Sequence, residues 1–177
     1  MTVPTRVRRD AVTRAALAAA ALAAVAATSA CGSSTQHGDA LLQLPVPGAV
    51  TVTTRHVDGL GTILVDGRGR TLYMFPPDAG GRVSCTGACA GTWPPLVIAD
   101  GRRPTAGRGV DAEDLSTLPD PNSGARVVTY SGYPLYRYAS DLSAGSADGQ
   151  ALFNNGGPWY VLDPNGQPVT KAVGSGR

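Results

Sequence analysis

The chain has 177 residues, a formal net charge of +2 at pH 7, three cysteines and two histidines. Residues 1–30 hold four of the 15 Lys and Arg residues but only one of the 13 Asp and Glu residues, which leaves 11 basic and 12 acidic residues for the rest. Nothing in this nearly neutral chain indicates the basic surface that nucleic acids need, so we expect no nucleic-acid partner. Arg102, Arg103 and Arg108 are near neighbours, but they lie among Gly, Pro and Thr and are interpreted as a solvated loop.

The first thirty residues have the pattern of a secretory signal peptide. A basic segment that includes Arg8 and Arg9 precedes an uncharged Ala/Leu/Val run over 15–27, and small residues follow. The apolar run is shorter than the roughly 20 residues that span a bilayer's hydrocarbon core, so a transmembrane anchor is the weaker interpretation. We therefore predict a signal peptide over 1–30, with both general and twin-arginine export left open.

Cys31 follows "TSA" and precedes "GSS", a context that resembles the lipobox of bacterial lipoproteins, where the cysteine sulfur is acylated. Thr28 departs from the pattern, which prefers an aliphatic residue there. We predict lipidation of Cys31, a membrane partner through the N-terminal lipid, and a place on the outer face of the cell membrane. The alternative is cleavage near Ala30 and a free thiol. Residues 31–48 are small and polar with prolines and no sustained period, which predicts a flexible tether.

Residues 49–170 carry a strand pattern and form the single predicted domain, followed by a tail over 171–177. The segments "AVTVTTRHV", "GTILVD" and "RTLYMF" predict three short strands between residues 50 and 75. The pair Asp66-Gly67 indicates a hairpin turn, because glycine accepts the positive φ that a tight turn needs. The 23 Gly and 14 Pro residues are typical of a turn-rich β chain.

The second half repeats this scheme with "ARVVTY", a turn at Ser131-Gly132 and "YPLYRY". Between the halves, "DAEDLSTL" predicts a helix of one or two turns, with Asp111 as N-cap and Asp114 at the third helical position. The predicted fold class is therefore all-β: a compact antiparallel sandwich or small barrel of two homologous β-repeats, with one short helix between them.

The octapeptides "TLYMFPPD" (71–78) and "PLYRYASD" (134–141) share the pattern Tyr, any residue, aromatic, two residues, Asp. Each is followed by a Gly-rich loop, a tryptophan, an apolar strand and a further Gly-containing turn. Self-similarity of this extent indicates an internal duplication. We predict two repeats, over about 62–101 and 126–166.

These motifs resemble those of the bacterial secreted-repeat lipoproteins with a Yx(F/W/Y)xxD motif. The matching segments are "ILVDGRGRTLYMFPPD", "CTGACAGTWPPL", "VVTYSGYPLYRYASD", "DGQAL" and "WYVLDPNG". The resemblance implies an exported, usually lipid-anchored envelope protein, and it carries over no molecular activity and no catalytic residue. Ala151 departs from the family pattern, in which Gly tends to follow the Gly-Gln pair.

The motif residues of both repeats are candidate site residues, which we interpret mostly as structural: Tyr73, Phe75, Asp78, Trp93, Tyr136, Tyr138, Asp141 and Trp159. On a strand the two aromatic residues of one octapeptide point to the same face, where we expect them to pack with the tryptophan of their own repeat. The aspartates are expected to close turns by accepting backbone N–H bonds. Two alternatives stay open: an aromatic pocket with Asp as polar anchor, and a carboxylate pair for hydrolysis.

Cys85 and Cys89 are separated by three residues, and in an oxidising exported compartment they predict a disulfide. A redox-active pair and a metal site are the alternatives. No C-x-x-C-H motif occurs, and His37 and His56 lie in or near the tether, so we expect no metal, no cofactor and no catalytic residue.

The function that we predict is a non-catalytic binding or structural module of the cell envelope. Its surface would be the Gly-rich loops "DAGGRVSCTGACAG" and "DLSAGSADGQALFNNGGP", where recognition usually lies. Its partner would be an unidentified envelope protein or small ligand. The alternatives are a redox or metal-linked electron-transfer accessory protein that uses Cys85 and Cys89, and a hydrolase that uses Asp78 and Asp141.

Overall fold

Short strands dominate the fold. The computed structural model describes residues 49–172; the predicted signal peptide, Cys31, the tether and residues 173–177 lie outside the described residues. The elements in chain order are β1 (Thr51–Val57), β2 (Gly61–Asp66), β3 (Tyr73–Met74), a 3-10 turn (Pro76–Asp78), α1 (Ala88–Thr92), β4 (Val97–Ile98), β5 (Thr105–Ala106), β6 (Leu115–Pro119), β7 (Arg126–Tyr130), β8 (Tyr133–Pro134), β9 (Phe153–Asn154), β10 (Gly157–Pro158) and β11 (Tyr160–Val161).

These strands form several small sheets. One has the order β2-β1-β5, and another has the order β4-β7-β6 with β8 beside β7. The pairs β3-β11 and β9-β10 complete the set for the described residues. The pairing is antiparallel apart from the parallel contact of β1 with β5. The prediction of an all-β fold is confirmed. Within residues 49–172, no helix has the length and apolar character that crossing a bilayer requires.

A turn is present at both predicted places, but the positive φ of the first lies at Gly69 (80°) and not at Gly67 as expected. Asp66 ends β2, and its Oδ1 accepts the backbone N–H groups of Arg68 and Arg70 at 2.9 and 3.0 Å. This turn returns the chain along β2, so that Thr71 bridges to Val65. Ser131 and Gly132 have φ values of 47° and 83° and connect β7 to β8 as a two-residue turn.

The predicted helix over 111–118 is wrong. The Asp111 carboxylate accepts the N–H of Glu113 at 2.9 Å, which makes a local turn and not a helix cap. The chain then continues as β6, which pairs with β7 from Leu115↔Tyr130 to Pro119↔Arg126. A helix this short has little stability of its own, so pairing with a long neighbouring strand decides the conformation. The helix of the described residues is α1, inside the first repeat.

The core has two parts, one on each side of the octapeptide strands. Tyr73 and Tyr136 belong to an aromatic cluster around the two tryptophans. Leu72 and Leu135 belong to an aliphatic cluster on the opposite side. This alternation follows from the two-residue period of a β-strand, and it buries both faces of each octapeptide.

The two octapeptides pair with each other. The N–H of Tyr73 donates to the carbonyl of Tyr136 at 2.8 Å, and the N–H of Tyr136 donates to the carbonyl of Tyr73 at 2.9 Å. The interface between the repeats is therefore a reciprocal antiparallel bridge at its centre.

The strand that follows each tryptophan completes the other repeat. In β11, Tyr160 and Val161 of the second repeat pair with β3 of the first. Reciprocally, the segment after Trp93 pairs with the second octapeptide, since the N–H of Leu96 donates to the carbonyl of Leu135 at 2.8 Å. Each repeat thus supplies a strand that the other needs to satisfy its backbone.

Candidate functional site

The tyrosine and aspartate that the two octapeptides share form buried pairs that join the two repeats. The hydroxyl of Tyr73 donates to Oδ2 of Asp141 at 2.6 Å. The hydroxyl of Tyr136 donates to Oδ2 of Asp78 at 2.5 Å. All four side chains are buried. Each motif therefore contains a donor for the other motif and not for itself.

The second oxygen of each aspartate orders the loop that follows it. Oδ1 of Asp78 accepts the backbone N–H of Ser84 at 3.0 Å, together with the Ser84 hydroxyl. Oδ1 of Asp141 accepts the N–H of Asp148 at 2.9 Å. The structure thus places both aspartates as loop-closing acceptors. A hydrolytic role for this pair stays a prediction.

Burial and the carboxylates raise the pKa of both motif tyrosines. For Tyr73 the main cause is burial, and the hydrogen bond and negative charge of Asp141 add to it. For Tyr136 burial again comes first, followed by Asp78. Burial also raises the pKa of Asp141, although the donors Tyr73 and Asp148 oppose the change. The phenols therefore stay protonated and act as donors at neutral pH.

Four aromatic rings form a continuous stack through the core. Trp93 and Trp159 lie 4.0 Å apart between ring centroids and are parallel to within 2°. Phe75 stacks on Trp159 at 4.3 Å, and Tyr138 lies against the other face of the row, on Trp93, at 4.5 Å and tilted by 32°. Offset and stacked arrangements of this kind add to the stability gained by burying the rings.

The expected packing within each repeat holds for only one aromatic residue of each motif. Tyr73 contacts Trp93 edge-on at 5.4 Å, and Tyr136 contacts Trp159 in the same way at 5.2 Å. Phe75 instead stacks on Trp159, and Tyr138 packs at a tilt on Trp93, so each contacts the tryptophan of the other repeat. The expectation was therefore wrong for Phe75 and Tyr138, because the tryptophan strands are exchanged.

Two residues next to the second motif have roles that the sequence interpretation missed. A Cβ on Gly149 would lie 2.8 Å from Cη2 of Trp93 and 3.0 Å from Cζ of Tyr73, so the aromatic core requires glycine there. Gln150 is buried; its Oε1 accepts the N–H of Val161 at 2.8 Å, and its Nε2 donates to the carbonyl of Lys171 at 2.8 Å. The "DGQ" signal was visible in the sequence, but its role depends on these distant contacts.

Cys85 and Cys89 form a disulfide with a Cα–Cα distance of 5.2 Å, as predicted. A redox role for this pair stays a prediction. The loop around it is held by Asn122, whose Nδ2 donates to the carbonyl of Cys85 and whose Oδ1 accepts the N–H of Gly87, both at 3.2 Å. Nothing in the sequence indicates this contact, because Asn122 lies 35 and 37 residues from the two loop residues that it holds.

Asp120 fixes the position of Asn122. Its Oδ1 accepts both the backbone N–H and the side-chain amide of Asn122 at 3.0 Å, and its Oδ2 accepts the Ser123 hydroxyl at 2.5 Å. Burial alone would raise the pKa of Asp120, but these donors outweigh it and lower the pKa. The carboxylate is thus a stable anchor for the contact with the disulfide loop.

The loops of the two repeats differ at their surfaces. We use "first loop" for residues 78–91 and "second loop" for residues 141–158. The first loop contains the disulfide and α1. The second loop carries Leu142 and Phe153, whose exposed fractions are 90% and 76%. Across residues 49–172, no group of three or more His, Cys, Asp and Glu side chains is arranged to hold a metal ion.

The fold and its buried motif pairs define a class of protein: an all-β module made of two mutually completing repeats. The chain belongs to the family described as a secreted repeat of unknown function, which matches residues 54–97 and 118–163. The duplication is thereby confirmed, and the family description supports export. Searches of curated proteins and of solved structures found no match.

Proposed function

We propose that this protein is a lipid-anchored, non-catalytic binding module of the cell envelope, and that it contacts a partner through the first and second loops. One observation carries the proposal: the reciprocal hydrogen bonds of Tyr73 with Asp141 and of Tyr136 with Asp78. The carboxylates and phenols that could otherwise perform acid–base chemistry are buried, and their hydrogen bonds to each other join the two repeats. The motif is then a frame for the loops that follow it.

The two carboxylate oxygens of each motif aspartate have separate partners, one in the core and one in the loop that follows the motif. In Asp141, Oδ2 accepts from Tyr73 in the core and Oδ1 accepts from Asp148 in the second loop. The loop is thus tied directly to the interface between the repeats, which gives it a defined position. Binding residues often lie on loops held in this way by a rigid scaffold.

Exposed apolar side chains make the second loop the stronger candidate for the contact. Leu142 and Phe153 are mostly exposed although both are large and apolar. Exposed apolar groups on a rigid scaffold favour contact with another surface when they lie together with ordered loop backbone. The first loop lies in the corresponding place of its repeat, but its disulfide and the Asn122 contact give it a different surface.

The proposed anchor is supported by the lipobox-like context of Cys31 and by the family's description as secreted. A coil of the length of residues 31–48 has an r.m.s. span of about 20–25 Å. Such a tether would hold the β-domain close to the outer face of the membrane while leaving its loops free to meet an envelope protein or a small ligand.

Photo-crosslinking in intact cells tests the binding surface. A photoreactive amino acid is placed at Leu142 or Phe153, and a matched control is placed at Asp58, which is exposed in the turn between β1 and β2. We expect a discrete crosslinked product from the second loop and none from Asp58. Equal labelling from all three positions, or no product from either loop position, would contradict the proposal.

Labelling with radioactive palmitate tests the anchor separately. The original chain should incorporate the label, and the Cys31→Ala variant should not. If both chains are labelled equally, or neither is, the lipid anchor is excluded and the loop proposal still stands or falls by its crosslinks.

A further inference from the structure

A surface cleft of about 580 Å³ lies between the turn that follows β4 and the β6–β7 pair. None of the residues that line it belongs to the first or second loop, so an inference about it goes beyond the function proposed above. Its polar lining residues are Asp100, Arg102, Arg103, Ser116, Thr117 and Arg126. Three guanidinium groups and one carboxylate give this lining a formal charge of +2.

Arg126 is held in place before any ligand arrives. Its Nε donates to Oγ1 of Thr117 at 2.8 Å, and its Nη2 donates to the carbonyl of Thr117 at 2.9 Å. The side chain is half-buried against β6. A guanidinium fixed in this way loses little further conformational entropy when it binds an anion, and its remaining N–H groups are available for that purpose.

Arg102 and Arg103 are consecutive on the turn around Gly101, which has a φ of 72°. Both side chains are exposed, and within residues 49–172 neither takes part in an ion pair or a side-chain hydrogen bond. The contrast is with Arg70 and Arg137, which are both paired with Asp66. The cleft therefore contains positive charge that the described part of the protein does not neutralise.

We propose that this cleft binds an oxyanion that carries phosphate and at least two negative charges. Guanidinium groups present planar pairs of N–H donors that match phosphate oxygens, and three of them line this cleft. The volume lies in the range of about 300–1,000 Å³ that is usual for small-molecule sites. Asp100 also lines the cleft, and its negative charge should weaken the binding of an anion. Removing that charge should therefore strengthen binding, whereas removing an arginine should weaken it.

Isothermal titration of the intact exported protein with tripolyphosphate measures the binding, at an ionic strength near 0.1 M, where the screening length is about 10 Å. We expect saturable binding that the double variant Arg102→Ala/Arg103→Ala weakens at least ~10-fold, a factor that corresponds to about 1.4 kcal/mol. The Asp100→Asn variant should bind several times more tightly, because it removes the repelling charge.

The matched control is Arg82→Ala/Arg108→Ala, which removes the same charge from exposed positions outside the cleft. Its affinity should stay within about twofold of the original value, since neither arginine lines the cleft and neither can contact a bound anion there. An equal loss in both double variants would mean general attraction to a basic surface and would overturn the site. Absence of saturable binding both to tripolyphosphate and to the phosphatidic acid used in the second titration would overturn it as well.

A second titration distinguishes a lipid headgroup from a free phosphate compound. The probe is dihexanoyl phosphatidic acid below its micelle concentration, with dihexanoyl phosphatidylcholine as the zwitterionic control. Binding of phosphatidic acid and tripolyphosphate with the same variant effects assigns the site to the phosphate group itself. Binding of phosphatidic acid alone assigns it to a lipid headgroup. Equal binding of the phosphatidylcholine control would contradict anion recognition.

Discussion

The hydroxyl of Tyr73 donates a 2.6 Å hydrogen bond to the carboxylate of Asp141, 68 residues further along the chain and in the other repeat. The pair of Tyr136 with Asp78 is its reciprocal. Each repeat motif is therefore satisfied only by the other copy. The duplication supplies two halves of one core, which explains why the motif recurs with its spacing intact.

The Tyr73→Phe variant should be less stable by about 1–3 kcal/mol, because it leaves a buried carboxylate oxygen without its donor. Urea unfolding followed by tryptophan fluorescence measures the change. The control is Tyr133→Phe, whose hydroxyl makes no side-chain hydrogen bond within residues 49–172. In a double-mutant cycle with Asp141→Asn, a coupling energy near zero would contradict the assigned pair.

The Gly149→Ala variant should lose about 1–3 kcal/mol, since its methyl group would press against the buried rings of Trp93 and Tyr73. The control is Gly91→Ala, which adds a methyl group where no atom lies within 4 Å and which sits in α1. Alanine favours a helix, so the control should be neutral or slightly stabilising. Thermal unfolding of both variants decides; equal melting temperatures would show that the close contact is absent.

The Ala151→Gly variant should be more stable than the original chain by about 1 kcal/mol. Ala151 has a φ of 59°, a left-handed conformation that costs energy in any residue with a Cβ. Gly87 occupies the corresponding place in the first repeat, three residues after the loop N–H that binds the motif aspartate, and its φ is 58°.

Ala144→Gly in the second loop is the control for this effect. Ala144 is not among the residues with positive φ, so glycine there should only add freedom to the unfolded chain and lower the stability. If the two glycine variants change the free energy of unfolding in the same direction, the effect of Ala151→Gly does not come from relief of backbone strain at Ala151.

Asp66 should make stability depend on pH in the acidic range. Burial alone raises its pKa, but hydrogen bonds from the N–H groups of Arg70 and Arg68 and the charges of Arg137 and Arg70 outweigh burial and lower it. A lowered folded-state pKa gives a stabilisation that is complete above the unfolded-state value of about 3.9 and is lost as the pH falls through the folded-state value.

The Asp66→Asn variant should therefore be less stable by about 1–3 kcal/mol at neutral pH, since Arg137 loses its charged acceptor at 2.8 Å. The difference from the original chain should shrink below about pH 4, where Asp66 of the unfolded chain takes up a proton, and it should vanish once the pH has fallen through the lower folded-state pKa. Unfolding free energies between neutral and acidic pH measure this convergence. The control Glu113→Gln removes a carboxylate from an exposed position that makes no ion pair or side-chain hydrogen bond in the described residues, and at neutral pH it should unfold with nearly the original free energy. A difference between Asp66→Asn and the original chain that stays constant from neutral to acidic pH would refute the assignment.

Separate repeats should not fold as monomers. Residues 49–108 and 109–172, produced as two chains, each lack the strand that satisfies their octapeptide and each contain one tryptophan. Mixing them should restore the fold and with it the coupled circular-dichroism signal of the parallel Trp93–Trp159 pair. A cooperative unfolding transition in either monomeric fragment by itself would contradict the exchange of strands between repeats.

Local patterns predicted much of the architecture. The two-residue period of a strand predicted that the two aromatic residues of an octapeptide share a face, and Tyr73 and Phe75 do belong to the same cluster of the core. The turns at Asp66-Gly67 and Ser131-Gly132 were predictable because their chemistry depends on adjacent residues. The helix over 111–118 failed for a related reason: an acidic residue that can cap a helix can also close an isolated turn, and the pairing with β7 decided between them.

The sequence by itself determined that the chain is an all-β duplication with a signal-like N-terminus, two Tyr-x-aromatic-x-x-Asp motifs and a short disulfide loop. Only the tertiary structure decided which tyrosine binds which aspartate and which ring stacks on which tryptophan. The physical reason is that these partners are set by the pairing of Tyr73 with Tyr136 and of β3 with β11, contacts between strands far apart in the chain. When a motif occurs twice, the sequence is equally compatible with contacts within each repeat and with contacts between the repeats. The long-range strand pairing decides between the two.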